Sequence, residues 1–282
     1  MRILAIRFSS LGDVVLAGAA LQTLARAHPD AEITLATKSQ YAPLFEQFEP
    51  PVIVAPFAPG RSLRDYAAPW RGTTFDRIID WHGSWRSWWL CRLVSARNLT
   101  RVRKHTLRRQ MMVFSRRGLD RPLSVLGAFL EAVQLHDDPQ MIRPPWFTLS
   151  VDELTLVERA RSVFTRSLGI GWGARHPTKA VPPELWQKII TRLSTGIDAV
   201  RVFGLESDRA SISSFLSEQN AAFPDLVLAA ECGLTLRETM VQIAACDAFA
   251  SSDSGLMHLA SALGVPTAGV FGPTHPALGF AP

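Results

Sequence analysis

Residues 2–27, RILAIRFSSLGDVVLAGAALQTLARA, decide the fold. RILAIRF (2–8) is a short apolar run with β-type residues, SSLG reads as a turn, and residues 13–27 have the length and composition of a helix. Strand, loop and helix then recur. ITLAT (33–37), PVIVA (51–55) and FDRIID (75–80) read as further strands, the last ending at a Trp-His-Gly turn. A second series follows the Pro-rich stretch PQMIRPP (139–145), which reads as a linker. A helix over 151–166 is placed to bridge the halves. Strands are expected at 168–173, 199–204, 226–230, 247–251 and 266–272, and helices at 183–194, 207–217, 235–245 and 254–263. Such alternation argues for an α/β protein with parallel, doubly wound sheets. No internal repeat or low-complexity tract interrupts it.

With 282 residues the chain has room for two α/β domains. No uninterrupted apolar run approaches the roughly 18–20 residues that span a bilayer. MRILAIRF is a poor signal peptide, because Arg7 and Asp13 break the apolar stretch. Cys91, Cys232 and Cys246 lack metal-ligand spacing and read as reduced thiols of a cytoplasmic protein. The net charge of +5 is unevenly spread: residues 1–150 carry 20 Lys and Arg against 12 Asp and Glu, whereas residues 151–282 carry 10 against 13. Ten basic residues and no acid lie between Asp80 and Asp120. That stretch is either a solvated face or a surface for an anionic partner. Of the nearby tryptophans (Trp81, Trp85, Trp88, Trp89), most are expected in the core.

Four stretches carry chemistry. The first is Ser9-Ser10-Leu11-Gly12-Asp13, at the carboxyl end of the first strand, where α/β sheets collect ligands. Gly12 would give the tight turn, and Asp13 is either a cleft-facing carboxylate or a helix-start residue. The second is Asp253-Ser254-Gly255-Leu256-Met257-His258, continuing to Gly264-Val265-Pro266 and Phe271-Gly272-Pro273-Thr274. Ser254 and Gly255 would present helix N-terminal amides to a diphosphate. In the third, Gly173 to Lys179, Arg175 and Lys179 suit phosphate, although a solvated loop is the plainer reading. The fourth, Phe203 to Asp208, offers acids to ribose hydroxyls or simply starts a helix.

In this order and spacing the four stretches resemble the ADP-heptose:lipopolysaccharide heptosyltransferases and their relatives in glycosyltransferase family nine. The resemblance spans nearly the whole chain; DSGLMHLASALGVPTAGVFGPT (253–274) is its most specific part and SSLGD its next. It implies a GT-B fold: two Rossmann-like domains with parallel sheets facing a central cleft. Residues 1–150 would bind the acceptor and 151–282 the nucleotide-sugar. It further implies inverting transfer of a heptose or related sugar, with no metal and no cofactor. The family's catalytic aspartate falls on Asp13, with Ser10 beside it and grouped with the donor residues. Its lysine near the diphosphate falls on Lys179, and its ribose-binding acid on Asp208, with Glu206 as competitor. Its donor loop falls on Asp253, Ser254, Gly255 and His258. Where some members carry hydroxyl residues, this sequence has Ala174 and Arg175, and Arg175 is assigned to the donor phosphates instead. Relatives run several tens of residues past the FGPT turn, whereas this sequence ends at Pro282.

The expected partners are a nucleotide-sugar, ADP-heptose by resemblance, and an anionic glycolipid acceptor of the lipopolysaccharide-core kind at the inner membrane surface, with Arg108 and Arg109 as acceptor residues. The expected location is cytoplasmic, peripheral to that membrane. Other readings stay open: a GT-B enzyme for another sugar nucleotide, a sugar-nucleotide epimerase, or a non-catalytic sugar-nucleotide-binding module. A donor titration and a comparison of donor turnover with donor binding separate them. A nicotinamide dehydrogenase is disfavoured because the first turn lacks GxGxxG, and nucleic acid is not an expected partner because no recognised module accompanies the basic stretch.

Overall fold

The computed structural model describes residues 1–103, 123–134, 142–173 and 179–272. The chain forms two compact units, Met1–Thr148 and a second that begins at Leu149. The division falls after the Pro-rich stretch because Trp146 and Phe147 belong to the first core. Trp146 donates its indole N–H to the Val15 carbonyl (3.0 Å), and Phe147 packs so close to Gly18 that a Cβ there would meet its ring at 2.7 Å.

Unit 1 is a five-stranded parallel sheet in the order β3-β2-β1-β4-β5. Its strands are β1 (Arg2–Ile6), β2 (Glu32–Lys38), β3 (Ile53–Phe57), β4 (Thr74–Asp80) and β5 (Ser95–Arg101). The helices are α1 (Leu11–Ala27), α2 (Leu63–Ala67), α3 (Trp85–Leu93) and α4 (Val125–Val133). β1 is central and its residues Ile3 to Ile6 are wholly buried, as a strand covered on both faces requires. α1 is apolar nearly all round because it too is enclosed, packed on the sheet and against α4. It starts two residues before the expected position, so Gly12 is a buried helical residue and not the glycine of a tight turn.

Unit 2 repeats the plan with the order β10-β9-β6-β7-β8. Its strands are β6 (Ser167–Gly171), β7 (Ala199–Gly204), β8 (Val227–Cys232), β9 (Ala248–Ser252) and β10 (Thr267–Val270). The helices are α5 (Val151–Val163), α6 (Pro183–Leu193), α7 (Arg209–Ala222), α8 (Leu236–Ala244) and α9 (Gly255–Ala262). α5, expected as a bridge, belongs to unit 2: Val157 packs on Val241 and Ala245, and Glu153 pairs with Arg237 on α8. Against expectation, three of the four clustered tryptophans are on the surface. Trp81 is wholly buried and donates to the Phe129 carbonyl (3.0 Å), while Trp85, Trp88 and Trp89 face solvent. None of the three cysteines is in a disulfide; burial pushes the thiols of Cys91 and Cys246 up to about 11, so both are protonated at neutral pH.

Candidate functional site

Both sheets reverse their direction of growth once, and the reversal points carry the candidate residues. In unit 1 the chain steps from β1 to β2 and β3, then returns to place β4 on the other side of β1. The loops that leave β1 and β4 therefore diverge, opening the crevice where α/β sheets bind ligands. Asp13 lies in the first turn of α1, just after the first of these loops. Ser10 N-caps α1 and Asp13 is the third helical residue, whose carboxylate reaches back to its own N-cap. Asp13 Oδ2 accepts from the Ser10 amide (3.1 Å) and hydroxyl (2.8 Å), and pairs with Arg7 Nη2 at 2.5 Å. Among the described residues no bond reaches Oδ1.

Asp13 thus fills the helix-start role through Oδ2, which leaves Oδ1 without a bond among the described residues. Burial alone would lift the Asp13 pKa; the charge of Arg7 and the bonds from Ser10 outweigh it and hold the carboxyl below the usual aspartate range. Burial conversely lowers the pKa of Arg7, against the pull of Asp13. Arg7 is itself fixed by the Trp81 carbonyl at the end of β4 (Nη1 to O, 2.6 Å) and by the Phe129 ring (5.4 Å). It ties the two diverging loops together.

Sequence reasoning noticed Arg7 only as an interruption of an apolar run. A charge one residue past a buried strand and six before an acid was the signal available. It also missed Asp80, the wholly buried end of β4. Asp80 accepts from the amides of His82 (3.1 Å) and Gly83 (2.8 Å), from the Ser87 hydroxyl (3.0 Å) and from Arg101 Nε (2.7 Å). That set fixes the Trp81–Gly83 turn beside the Asp13 loop, with His82 edge-on to Phe8 (5.3 Å).

In unit 2 the chain runs β6, β7, β8 and then returns to β9 on the far side of β6. The reversal lies between β6 and β9, and the loop from each carries one member of an ion pair: Lys179 Nζ meets Asp253 Oδ2 at 2.6 Å. The strands approach closely here, since a Cβ on Gly171 would sit 2.3 Å from Ser251 Oγ. Gly171→Ala is therefore expected to push Ser251 aside and lower the melting temperature, which thermal melts would check. Ser254 is the N-cap of α9, but its side chain takes no bond from the helix amides; its hydroxyl lies 3.0 Å from that of Ser251. The first-turn amides of α9, beginning at Gly255, therefore lack a side-chain cap and suit an anion. His258 is buried one turn further along α9.

Asp208 follows β7. Its Oδ2 accepts from the Leu205 amide (2.9 Å), and its side chain borders Gly173 and Gly204 at the ends of β6 and β7. Glu206, the competing acid, is exposed and paired with Arg209 (2.6 Å), so Asp208 is the acid on the side of the β6 loop. Lys179, Asp208, Asp253, Ser254 and Gly255 all lie at the carboxyl edge of β7, β6 and β9, while Ser10 and Asp13 lie at that of β1. Arg175, Arg108 and Arg109 lie outside the described residues, so the structure does not bear on them. Among the described residues no cluster of His, Cys, Asp and Glu could hold a metal ion, and no helix is long and apolar enough to cross a membrane.

Comparison with known proteins agrees with this architecture. The model of glycosyltransferase family 9 (heptosyltransferase) matches residues 67–279. Lipopolysaccharide heptosyltransferase 1 of Pseudomonas aeruginosa is 25% identical, over 98% of this chain and 80% of that protein. Among solved structures, E. coli heptosyltransferase WaaC with ADP superposes with a TM-score of 0.75 at 19% identity, covering 100% of this chain and 90% of the other. E. coli ADP-heptose lps heptosyltransferase II gives 0.75 at 22%, covering 100% and 88%. A family 9 glycosyl transferase from Veillonella parvula gives 0.81 at 17%, covering 100% and 83%. These likenesses concern the fold, which is α/β and of the GT-B type.

Proposed function

Because the chain belongs to glycosyltransferase family 9 and is a glycosyltransferase, we propose that it moves a heptose or related sugar from a nucleotide-sugar, ADP-heptose in the first instance, to an anionic glycolipid of the lipopolysaccharide-core kind. Unit 2 holds the donor and unit 1 the acceptor. The observation that carries the reading is the geometry at Asp13: one carboxylate oxygen is anchored by Arg7 and Ser10, and the other is unbonded among the described residues. Asp13 removes the acceptor hydroxyl's proton as that oxygen attacks the anomeric carbon. The bond from that carbon to the diphosphate breaks, the nucleoside diphosphate leaves, and the configuration inverts. Lys179 and the α9 amides stabilise the charge that develops on the leaving group, and Asp208 takes the ribose hydroxyls through Oδ1. Titratable groups supply this chemistry without a metal. The names of the similar proteins support the donor and acceptor classes, and an anionic glycolipid acceptor puts the working enzyme at a cytoplasmic membrane surface.

A nucleotide-release screen of ADP-, UDP- and GDP-sugars with lipopolysaccharide-core acceptors tests the reading; release from an ADP-sugar that requires the acceptor is expected. Release without acceptor, or a preference for UDP- or GDP-sugars, would overturn the donor assignment. Calorimetry separates the roles inside unit 2. Lys179→Ala should weaken ADP by about tenfold and adenosine hardly at all, since an ammonium–phosphate contact is charge-assisted. Asp208→Ala should weaken ADP and adenosine alike. Equal losses of both ligands in both variants would mean that these assignments are wrong.

A further inference from the structure

The solvent face of α3 is unlike that of an ordinary surface helix. Ser87 and Leu90 face the core, yet Trp85, Trp88, Trp89 and Leu93 remain 73%, 37%, 45% and 38% exposed. Positions 85, 88, 89, 92 and 93 share one helical stripe, so these side chains form a continuous patch. The three indoles pack edge-on to one another, Trp85 to Trp89 at 6.4 Å and Trp88 to Trp89 at 5.1 Å. Arg92 is exposed within the stripe, its guanidinium 4.7 Å over the Trp88 ring, and Arg86 is exposed at the flank of the helix. At the end of the stripe Leu93 lines a shallow cavity of about 290 Å³ with Arg64, Ala67 and Arg71. The one acid on α2, Asp65, is tied to Ser62. No acid occurs in the sequence from Trp81 to Leu119.

A patch of this kind is costly in water and is a mark of an interaction surface. Its chemistry selects the partner. Indoles favour the headgroup layer of a bilayer, where the ring is half apolar and its N–H stays wet. Interleaved arginines that outnumber the one neighbouring acid, Asp65, favour an anionic surface. A second copy of the chain is disfavoured, because a two-fold contact would set Arg86 and Arg92 against the same cations. We propose that α3, continued by the Arg64 and Arg71 cavity, docks on an anionic phospholipid surface with its three indoles entering the headgroup layer. The proposal deepens the membrane-surface location that the proposed acceptor implies and rests on that reading, but its face is separable from the transfer chemistry, since neither Asp13 nor the unit 2 loops take part.

The test is co-sedimentation of the full chain with phosphatidylcholine vesicles, with and without phosphatidylglycerol. Binding is expected only where phosphatidylglycerol is present, and should weaken as salt is added. Tryptophan emission should be quenched by brominated lipid. Trp85→Ser/Trp88→Ser/Trp89→Ser should lower partitioning by about tenfold or more, as should Arg64→Glu/Arg71→Glu, both with wild-type circular dichroism. Asp13→Asn should bind vesicles like the wild type, which separates a failure of this proposal from a failure of the transferase reading. Absence of sedimentation at low salt would overturn it. So would a triple variant that binds as the wild type does, or wild-type dimers that the triple variant turns into monomers. Binding of RNA that the arginine variant loses and the tryptophan variant keeps would assign the face to a polyanion instead.

Discussion

Asp13→Asn should lower turnover by about a hundredfold or more, the usual scale for loss of a general base, while ADP affinity stays within about twofold. The amide is nearly isosteric and still accepts the Ser10 N–H, so the start of α1 survives. What disappears is the proton acceptor and the charge that balances Arg7, which is buried and held between Trp81 and Phe129. Some loss of unit 1 stability must therefore accompany the loss of rate, and urea melts run beside the kinetics keep the two apart. The pH profile adds an independent reading. With the Asp13 pKa held below the usual aspartate range, the acid limb of kcat/KM should lie under that range, leaving this group ionised throughout the neutral region. The stability that goes with the lowered pKa is fully present above the unfolded-state value and is lost as pH falls through the folded one. Arg7→Gln should shift the acid limb upward, since burial would then act on Asp13 with less opposition. Turnover of Asp13→Asn within a few-fold of wild type would return the residue to its helix-start role.

Most of this architecture was legible because buried parallel strands announce themselves. RILAI, AVRVFG and AFASS are apolar runs bounded by turn residues, and each is a strand. β5 was not legible. SARNLTR is exposed at six of its seven positions, lies at the sheet edge, and has neither an apolar run nor an alternation to reveal it. What makes it a strand is pairing with β4, a tertiary cause. The surface tryptophans failed for a related reason: indole-rich segments are normally core, and only the packing of Leu90 and Ser87 shows which face of α3 is turned inward. Helix ends slipped where packing carried on past the expected stop, as in α7, where Gln219 is buried beyond residue 217. At the candidate site the acids and the lysine were readable from their positions after strands. Arg7, the Asp80 network and the pairing of Lys179 with Asp253 were not, because each joins residues from different loops that meet only once the sheets have formed.

The second large effect is expected far from any ligand, at Arg201 in the middle of β7. Its side chain is wholly buried, a placement that needs full compensation. Glu231 on β8 supplies the countercharge (Nη2 to Oε1, 2.5 Å; Nε, 3.0 Å), and Gln242 on α8 accepts through its side chain and its carbonyl. The guanidinium plane lies 4.5 Å from the Phe164 ring and 5.6 Å from that of Phe203. Arg201→Met fills much of the same volume but strands Glu231, so it should destabilise unit 2 by about 3–5 kcal/mol, the scale for breaking a buried pair. Adding Glu231→Leu should restore most of that loss, since replacing both charges removes the uncompensated group along with the bond. The ordering decides between two accounts of the network. If the pair supplied net stability, the double variant would still lie well below the wild type; if its cost and gain nearly cancel, the double variant returns close to it. Hydrogen exchange at the β7 and β8 amides should make the measurement, because a two-unit chain need not melt in one step and these amides report on unit 2 alone. A single variant that loses less than about 1 kcal/mol would mean that Glu231, which is only partly buried, is solvated well enough to stand unpaired.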